Sequence, residues 1–283
     1  MSEDPSESTL STYTATDGDN LAVQDWPAPE AVAPRGMVLL VHGLGEHAGR
    51  YHSIAQRLNS WGFAVRGYDQ YGHGESDGVR GALPREARLV EDLIDMIGST
   101  RKRMAAGAPL ILLGHSMGGL IAGLLAALER VPLQGLVLSS PALAVRLNPV
   151  QKLSLATLPR FAPHFTLGNG LDPNLLSHDY AVVAAYARDR LVHDRLSTRL
   201  AAFIAQTGPK LVSHAPRWKV PTLLLFAGDD KIVDPAGSRA FAAAAPRQVV
   251  SAHEFPRLFH EIFNEPDSEP VFARLKQWLD ERF

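Results

Sequence analysis

The stretch Pro109-Leu110-Ile111-Leu112-Leu113-Gly114-His115-Ser116-Met117-Gly118-Gly119 decides the fold. Its first five residues form a short apolar run of the kind that reads as a buried strand. Leu120 to Arg130 follows, dense in Leu, Ile and Ala, and reads as a helix. Between them the turn is so tight that strand and helix cross with no room for a Cβ at Gly114 or Gly118. A Gly-x-Ser-x-Gly placed between a strand and a helix lifts its serine hydroxyl clear of the sheet. It also leaves the Met117 N–H at the positive end of the helix. The bare pattern matches many Gly/Ser-rich loops; its setting makes Ser116 a candidate nucleophile.

Outward from this turn, strands expected at Met37–Val41, Phe63–Asp69, Pro109–Leu113 and Leu133–Leu138 alternate with helices near 49–60, 84–104 and 120–130. The strand runs are apolar without a two-residue polarity period. That implies an α/β fold, a mainly parallel central sheet with helices on both faces. Upstream, Leu10–Thr14 and Asn20–Trp26 flank Asp17-Gly18-Asp19 as a hairpin, and Pro27–Pro34 is a Pro/Ala linker. At Ser140-Pro141 the rhythm stops. Residues 142–217 hold no apolar strand run, only helix-like segments broken by Pro149, Pro159, Pro163 and Pro173; the clearest helices are 179–186 and 197–206. This reads as a helical cap inserted into a core formed by residues 1–141 and 218–283, with residues 1–9 disordered. The sheet resumes at Pro221–Phe226. A helix near 238–245 and a strand from Gln248 to about His253 follow, then a last helix burying Val271, Leu275, Trp278 and Leu279.

Composition is that of an ordinary soluble globular protein, with 46% hydrophobic and 20% charged residues. A net charge of -2 offers nucleic acid and anionic lipid no attraction. With no cysteine, thiol catalysis, disulfides and Cys-based metal sites are excluded. The amino terminus lacks the features of a signal peptide, and no apolar run reaches the length of a membrane span, so a soluble cytoplasmic protein is expected.

A serine hydroxyl needs an adjacent base, and on a sheet of this kind the partners follow in the order Ser, acid, His, each just beyond a strand. Of 11 histidines, His260 alone sits between the last strand and the final helix; His253 is the fallback, at the end of that strand. The acid is Asp230, with Asp229 the runner-up, while Asp234 before Pro235 suits a helix cap. The oxyanion needs two N–H donors. Met117 supplies one, and Leu44, in His42-Gly43-Leu44-Gly45 after the first long strand, supplies the other. His42 and Glu46 are expected to buttress that loop. His178-Asp179 and His193-Asp194 read as solvated helix faces, and Gly72-x-Gly74 lacks the remainder of a phosphate loop. No metal, nucleotide or other cofactor is expected.

Together, His42-Gly43-Leu44-Gly45-Glu46-His47, Asp69-x-x-Gly72-x-Gly74-x-Ser76, Gly114-His115-Ser116-Met117-Gly118-Gly119 and His260-Glu261-Ile262-Phe263-Asn264-Glu265 resemble the monoacylglycerol lipase and lysophospholipase-like branch of the α/β-hydrolases. The resemblance implies hydrolysis of a lipid ester through an acyl-serine intermediate, with Ser116, Asp230 and His260 as triad and the Leu44 and Met117 amides as oxyanion hole. It implies a monoacylglycerol as substrate, a cap that shapes an acyl tunnel, and passing membrane or micelle contact through that cap. Phe226-Ala227-Gly228 carries its glycine one place late for the family, which keeps Asp229 open as the acid. A lysophospholipase, a short-chain carboxylesterase or a peptidase of the same fold is the alternative within enzymes, and a non-catalytic ligand-binding receptor the alternative outside them. Ser116 argues against the aspartate-nucleophile dehalogenases and epoxide hydrolases of this fold.

Overall fold

In chain order the elements are β1 (Thr9–Thr14), β2 (Asn20–Trp26), β3 (Gly36–Val41), α1 (His52–Ser60), β4 (Phe63–Tyr68), α2 (Arg88–Arg101), β5 (Leu110–His115), α3 (Met117–Ala127) and β6 (Gly135–Ser139). Then come α4 (Pro149–Phe161), β7 (Thr166–Gly168), α5 (Tyr180–Arg188), β8 (Arg195–Ser197) and α6 (Thr198–His214). The chain ends with β9 (Thr222–Ala227), α7 (Pro235–Ala244), β10 (Val250–Phe255) and α8 (Glu269–Arg282). This computed structural model describes residues 8–28 and 33–283. Thr9 pairs with Asp25 in β1–β2, so the disorder expected through residue 9 extends too far. The rest of that expectation, and residues 29–32 of the linker, lie outside the described residues.

Eight strands form one sheet in the order β1-β2-β4-β3-β5-β6-β9-β10. Only the pairings that β2 makes, with β1 and β4, are antiparallel. The remaining pairings are parallel. Burial on both faces explains why the central strands are apolar throughout. Leu39, Leu112 and Leu224 enter the core beneath α2, α3 and α6, while Leu40, Leu113 and Leu225 enter the opposite core with α1 and α8. Each such side chain, fully removed from water, contributes about 1.5–3 kcal/mol. No helix among the described residues is long and apolar enough to cross a membrane.

Between β6 and β9 the chain makes three helices and a small two-stranded sheet, β7–β8. That sheet is a departure from the expectation of helices alone. Three residues per strand, paired Leu167 to Leu196, are too few to show a period in the sequence. Two prolines also fail to break helices. Pro149 opens α4 behind an Asn148–Gln151 capping box, where its missing N–H costs nothing, and the helix continues through Pro159 to Phe161. Likewise α6 runs on through Pro209 to His214.

The hairpin is pinned to α2 by a buried charge cluster. Arg88, 1% exposed, donates its Nε to both Asp92 carboxylate oxygens at 2.8 Å and its Nη1 to Asp19 at 2.7 Å and to Asp17. Its guanidinium lies 4.3 Å from the centre of the Tyr71 ring. Burial pushes the Asp92 carboxyl up to about 6 even against the pull of Arg88. Replacing Arg88 with Ala strands a buried carboxylate, so stability should fall by about 3–5 kcal/mol. Urea denaturation of R88A beside the parent chain measures this; an unchanged midpoint would show that the cluster contributes nothing.

Candidate active site

Four loops beyond the carboxyl ends of strands meet above the sheet. The β5–α3 turn carries Ser116 at φ 54° and ψ -118°, a strained conformation for a residue with a side chain. The turn is held by its surroundings. A Cβ on Gly118 would stand 2.0 Å from the Val41 carbonyl oxygen, and one on Gly114 2.6 Å from the Gly118 carbonyl oxygen. The Ser116 N–H donates to the Ser139 carbonyl at 2.9 Å, and the Ser116 carbonyl accepts from Leu120 N–H and Ala142 N–H. Backbone bonds thus hold Ser116 from β6 and α3 at once, which is how the strain is sustained.

The loop after β9 places Asp230 and the loop after β10 places His260. They meet at 2.7 Å, His260 Nδ1–H donating to Asp230 Oδ2, and both are almost wholly buried. The other Asp230 oxygen accepts from the N–H groups of Ile232 and Val233 at 2.9 and 3.0 Å. Burial works to raise the Asp230 carboxyl, but the charge and hydrogen bond of His260 and these two amides hold it below the usual carboxylate range. For His260, burial works downward and is outweighed by Asp230, then Glu261 and Glu46, so the imidazole stands above its ordinary value. Asp229, 46% exposed at its side chain, points away to Lys231. His253 lies in β10, in register with Leu225.

His42-Gly43-Leu44-Gly45 turns over the nucleophile from the end of β3. His42, 1% exposed, donates Nδ1–H to the Gly43 carbonyl and accepts the Gln70 N–H at Nε2, which fixes a neutral tautomer. Glu46 Oε1 takes the Gly43 N–H at 2.5 Å and the Tyr51 hydroxyl at 2.7 Å, and Arg50 donates to its other oxygen at 2.6 Å. Burial alone would raise Glu46, but Arg50, His115, His42 and Tyr51 bring it down to about 2. With Gly43 N–H committed, Leu44 is the next amide, and no protein acceptor among the described residues takes it. Gly45 has φ 77°, and a Cβ there would stand 2.4 Å from the His193 carbonyl oxygen.

Leu44, Met117, Ser116 and His260 all line one cavity of about 250 Å³, whose outer wall comes from the insertion: Leu147, Leu155, Leu171 and Ile204. Ser116 and His260 share this wall without a hydrogen bond between them, a spacing common before substrate tightens a site. His115 packs against His260 with ring centres 4.7 Å apart. Glu46, Arg50, Glu261 and Tyr186 line the same cavity. Arg50 bridges the carboxylates of Glu46 and Glu261, joining the Leu44 loop to the residue next to His260. The sequence hides this bridge because 211 residues separate Arg50 from Glu261; only the i,i+4 spacing of Glu46 and Arg50 is visible in it.

Two expectations need correcting. His193 is not on a solvated helix face. It sits in the loop before β8, its ring centre 4.7 Å from that of His73, donating Nε2–H to the Gly72 carbonyl and its backbone N–H to that of Gly45. His178 is solvated as expected, its side chain 46% exposed, but it precedes α5 instead of lying on a helix, and it bonds a buried carboxylate, Glu265. Gly72 and Gly74 serve a turn folded around Asp69, whose carboxylate accepts from Ala48 N–H and Glu75 N–H. No group of three or more His, Asp or Glu among the described residues could hold a metal ion.

The sequence matches the family described as serine aminopeptidase, S33, over residues 32–267. It is 35% identical over 281 residues to an uncharacterized abhydrolase domain-containing protein of Dictyostelium discoideum, covering 97% of this chain and 29% of that much longer protein. It is 35% identical over 249 residues to a monoacylglycerol lipase of Mycolicibacterium smegmatis, covering 87% of this chain and 88% of the relative. The crystal structure of the Paleococcus ferrophilus monoacylglycerol lipase matches it with a TM-score of 0.82 at 36% identity, over 93% of this chain and 99% of that one. A parallel sheet with its serine at a strained strand–helix turn and a family match across most of the chain agree: the protein is an α/β-hydrolase of the serine aminopeptidase S33 family.

Proposed function

We propose that the chain is a serine ester hydrolase acting on monoacylglycerols, releasing fatty acid and glycerol. The observation that carries this is the buried 2.7 Å bond between His260 and Asp230, set at the edge of the cavity onto which Ser116 opens. In this reading His260 Nε2 takes the Ser116 proton as the hydroxyl attacks the ester carbonyl. Asp230 stabilises the resulting imidazolium without taking the proton itself. The Leu44 and Met117 amides receive the oxyanion. His260 then protonates the departing glycerol oxygen. Water, deprotonated by the same imidazole, attacks the acyl carbonyl; the bond to Ser116 Oγ breaks, the fatty acid leaves, and the imidazolium returns its proton to Oγ. The segment 142–217 is the cap in this reading, and the core comprises 1–141 and 218–283.

Substrate class rests on two supports. The relatives that match most of this chain include monoacylglycerol lipases, and the cavity wall contributed by the cap is mostly aliphatic. The cap also leaves Val150, Leu153 and Phe161 of α4 at 73%, 67% and 86% exposure, which suits passing contact with a lipid surface.

Ser116→Ala should lower kcat by on the order of 10⁵–10⁶ with the fold retained. Asp230→Asn should cost about 10⁴, whereas Asp229→Asn should leave the rate near that of the parent. Hydrolysis assays on purified variants decide both points, and an active S116A would rule out the acyl-serine route.

A pH profile tests the base. His260 must be neutral to accept a proton, and its surroundings raise it above the ordinary 6.5. Activity should therefore fall as pH drops, with the acid limb of kcat/KM centred above 6.5. A limb centred below that value would contradict the assignment.

Rates across monoacylglycerols, lysophospholipids and simple esters of varied chain length test the substrate. Medium- to long-chain monoacylglycerols should lead. Replacing Leu153 and Phe161 with Ser should slow hydrolysis of monoacylglycerol in vesicles and leave that of a water-soluble ester unchanged. A steep preference for short soluble esters would overturn the lipid assignment.

A further inference from the structure

Glu265 is five residues beyond His260 and belongs to no element, yet it is 4% exposed. One carboxylate oxygen accepts the N–H of Phe259, the residue before His260, at 2.6 Å. The same carboxylate faces His178 from the insertion. His178 Nδ1–H donates to it at 3.0 Å, and the His178 backbone N–H reaches it at 3.3 Å. The His178 ring lies on that of Phe259, centres 3.7 Å apart and 25° from parallel. Two further bonds join the same partners: Glu261 N–H donates to the Leu176 carbonyl at 2.9 Å, and Ser177 Oγ–H to the Asn264 carbonyl at 2.9 Å. Leu176-Ser177-His178 is thus laced along the whole loop that carries His260. A buried carboxylate is costly unless its oxygens are satisfied, and here the donors that satisfy it are those of this junction.

We infer that Glu265 is a positioning residue: by holding Phe259 N–H and His178 together it fixes His260 against Asp230 and ties the placement of that base to the position of the cap. This inference rests on the assignment of His260 as the base. Movement of the cap away from the sheet would draw on the His178 end of the carboxylate and loosen the Phe259 end, so the base would be fully aligned only with the cap seated. The groups that face His260 are Asp230 from the β9–α7 loop, His115 from β5, Glu46 from the Leu44 loop, and neighbouring Glu261. None of these hydrogen-bonds to the Glu265 carboxylate, whose partners are His178 and Phe259. A change at Glu265 therefore reaches the reaction through the loop.

The test compares Glu265→Ala, Glu265→Gln and His178→Ala in the full chain, using a water-soluble ester. Both Glu265 variants remove the same charge, but Gln keeps an acceptor for Phe259 N–H. E265A should lower kcat on the order of 10–100-fold with KM little changed, the size expected when a catalytic group is displaced by about 1 Å. Its acid limb should move to lower pH as the His260–Asp230 bond loosens, whereas E265Q should stay close to the parent in both respects. H178A should lower kcat by a smaller factor, and adding it to E265A should cost little more, since both break one junction. Equal losses or equal limb shifts in E265A and E265Q would assign the effect to charge or folding and overturn the inference, as would an unimpaired E265A. If E265A does not fold, E265Q with H178A carries the test: H178A must lose rate while E265Q does not. His260→Ala, run alongside, separates the two levels. An active H260A overturns the base assignment and this inference with it, while an inactive H260A beside an unimpaired E265A overturns the inference alone.

Discussion

A methyl group at residue 118 would stand 2.0 Å from the Val41 carbonyl oxygen, and the rest of the site depends on that absence. The close approach lets α3 start directly above the ends of β3 and β5. Met117 N–H therefore comes to the same cavity as the loop that follows β3. It also forces the residue between strand and helix to positive φ. Three residues other than glycine do this among those described, Ser116, Glu129 and Ser140, and Ser116 and Ser140 end neighbouring strands beneath the cavity. Both are tied down by backbone bonds to the next strand over: Ser116 N–H to Ser139, and Ser140 N–H to Leu225. Strain of this kind costs about 1–3 kcal/mol per residue and persists only when the sheet around it over-determines the backbone. A serine at that point is presented, with its position fixed by β3, β6 and α3 and by nothing of its own.

This explains which parts of the architecture could be read from the residues. Leu39 and Leu40, or Leu112 and Leu113, are adjacent in sequence but belong to opposite cores. A strand buried on both faces must be apolar at every position, so these runs stood out. The order of the three candidate residues was legible too, because each follows a strand on the same side of the sheet. The choice between Asp229 and Asp230 was not, since neighbours in sequence differ there only in the direction of a side chain. The hydrogen bonds decide which one meets His260: Asp230 accepts two amides of its own loop and the imidazole, and Asp229 turns to Lys231. The insertion was the least legible part. Its contacts with the core, such as His193 to Gly45 and His178 to Glu265, join residues far apart in the chain and leave no periodic trace. Pro159 misled because the expected break is an average tendency: α4 continues through it to Phe161 and forgoes the one hydrogen bond that the missing N–H would have made.

The polar network beneath the cavity has a second consequence. Glu46 does not act as a free carboxylate; Gly43 N–H, Tyr51 and Arg50 saturate it, and Arg50 in turn grips Glu261. An ion network this far from water is stabilising only when its members are matched, and removing one leaves an unpaired charge. The result is a rigid link between the loop that carries Leu44 and the loop that carries His260. The Leu44 amide and the imidazole are therefore placed by one set of contacts.

The same network governs where a proton can reside. His115 and His260 are both buried, with ring centres 4.7 Å apart, and burial alone would keep both neutral. Each would also discourage the other's charge. His115 donates or accepts only at Ser139 Oγ, with no carboxylate in hydrogen-bond contact, and burial together with its neighbour His260 brings it down to about 4. His260 has Asp230 in direct contact, and its charge and hydrogen bond, with Glu261 and Glu46 behind them, outweigh a desolvation of the same kind. Two imidazoles in nearly the same place feel the same carboxylates and differ in which of them is hydrogen-bonded to one. Near neutral pH His115 stays uncharged, so it leaves the field at His260 undisturbed, and a proton leaving Ser116 has a single acceptor. In the proposed mechanism that asymmetry, more than the depth of the cavity, is what turns a strained serine into a nucleophile.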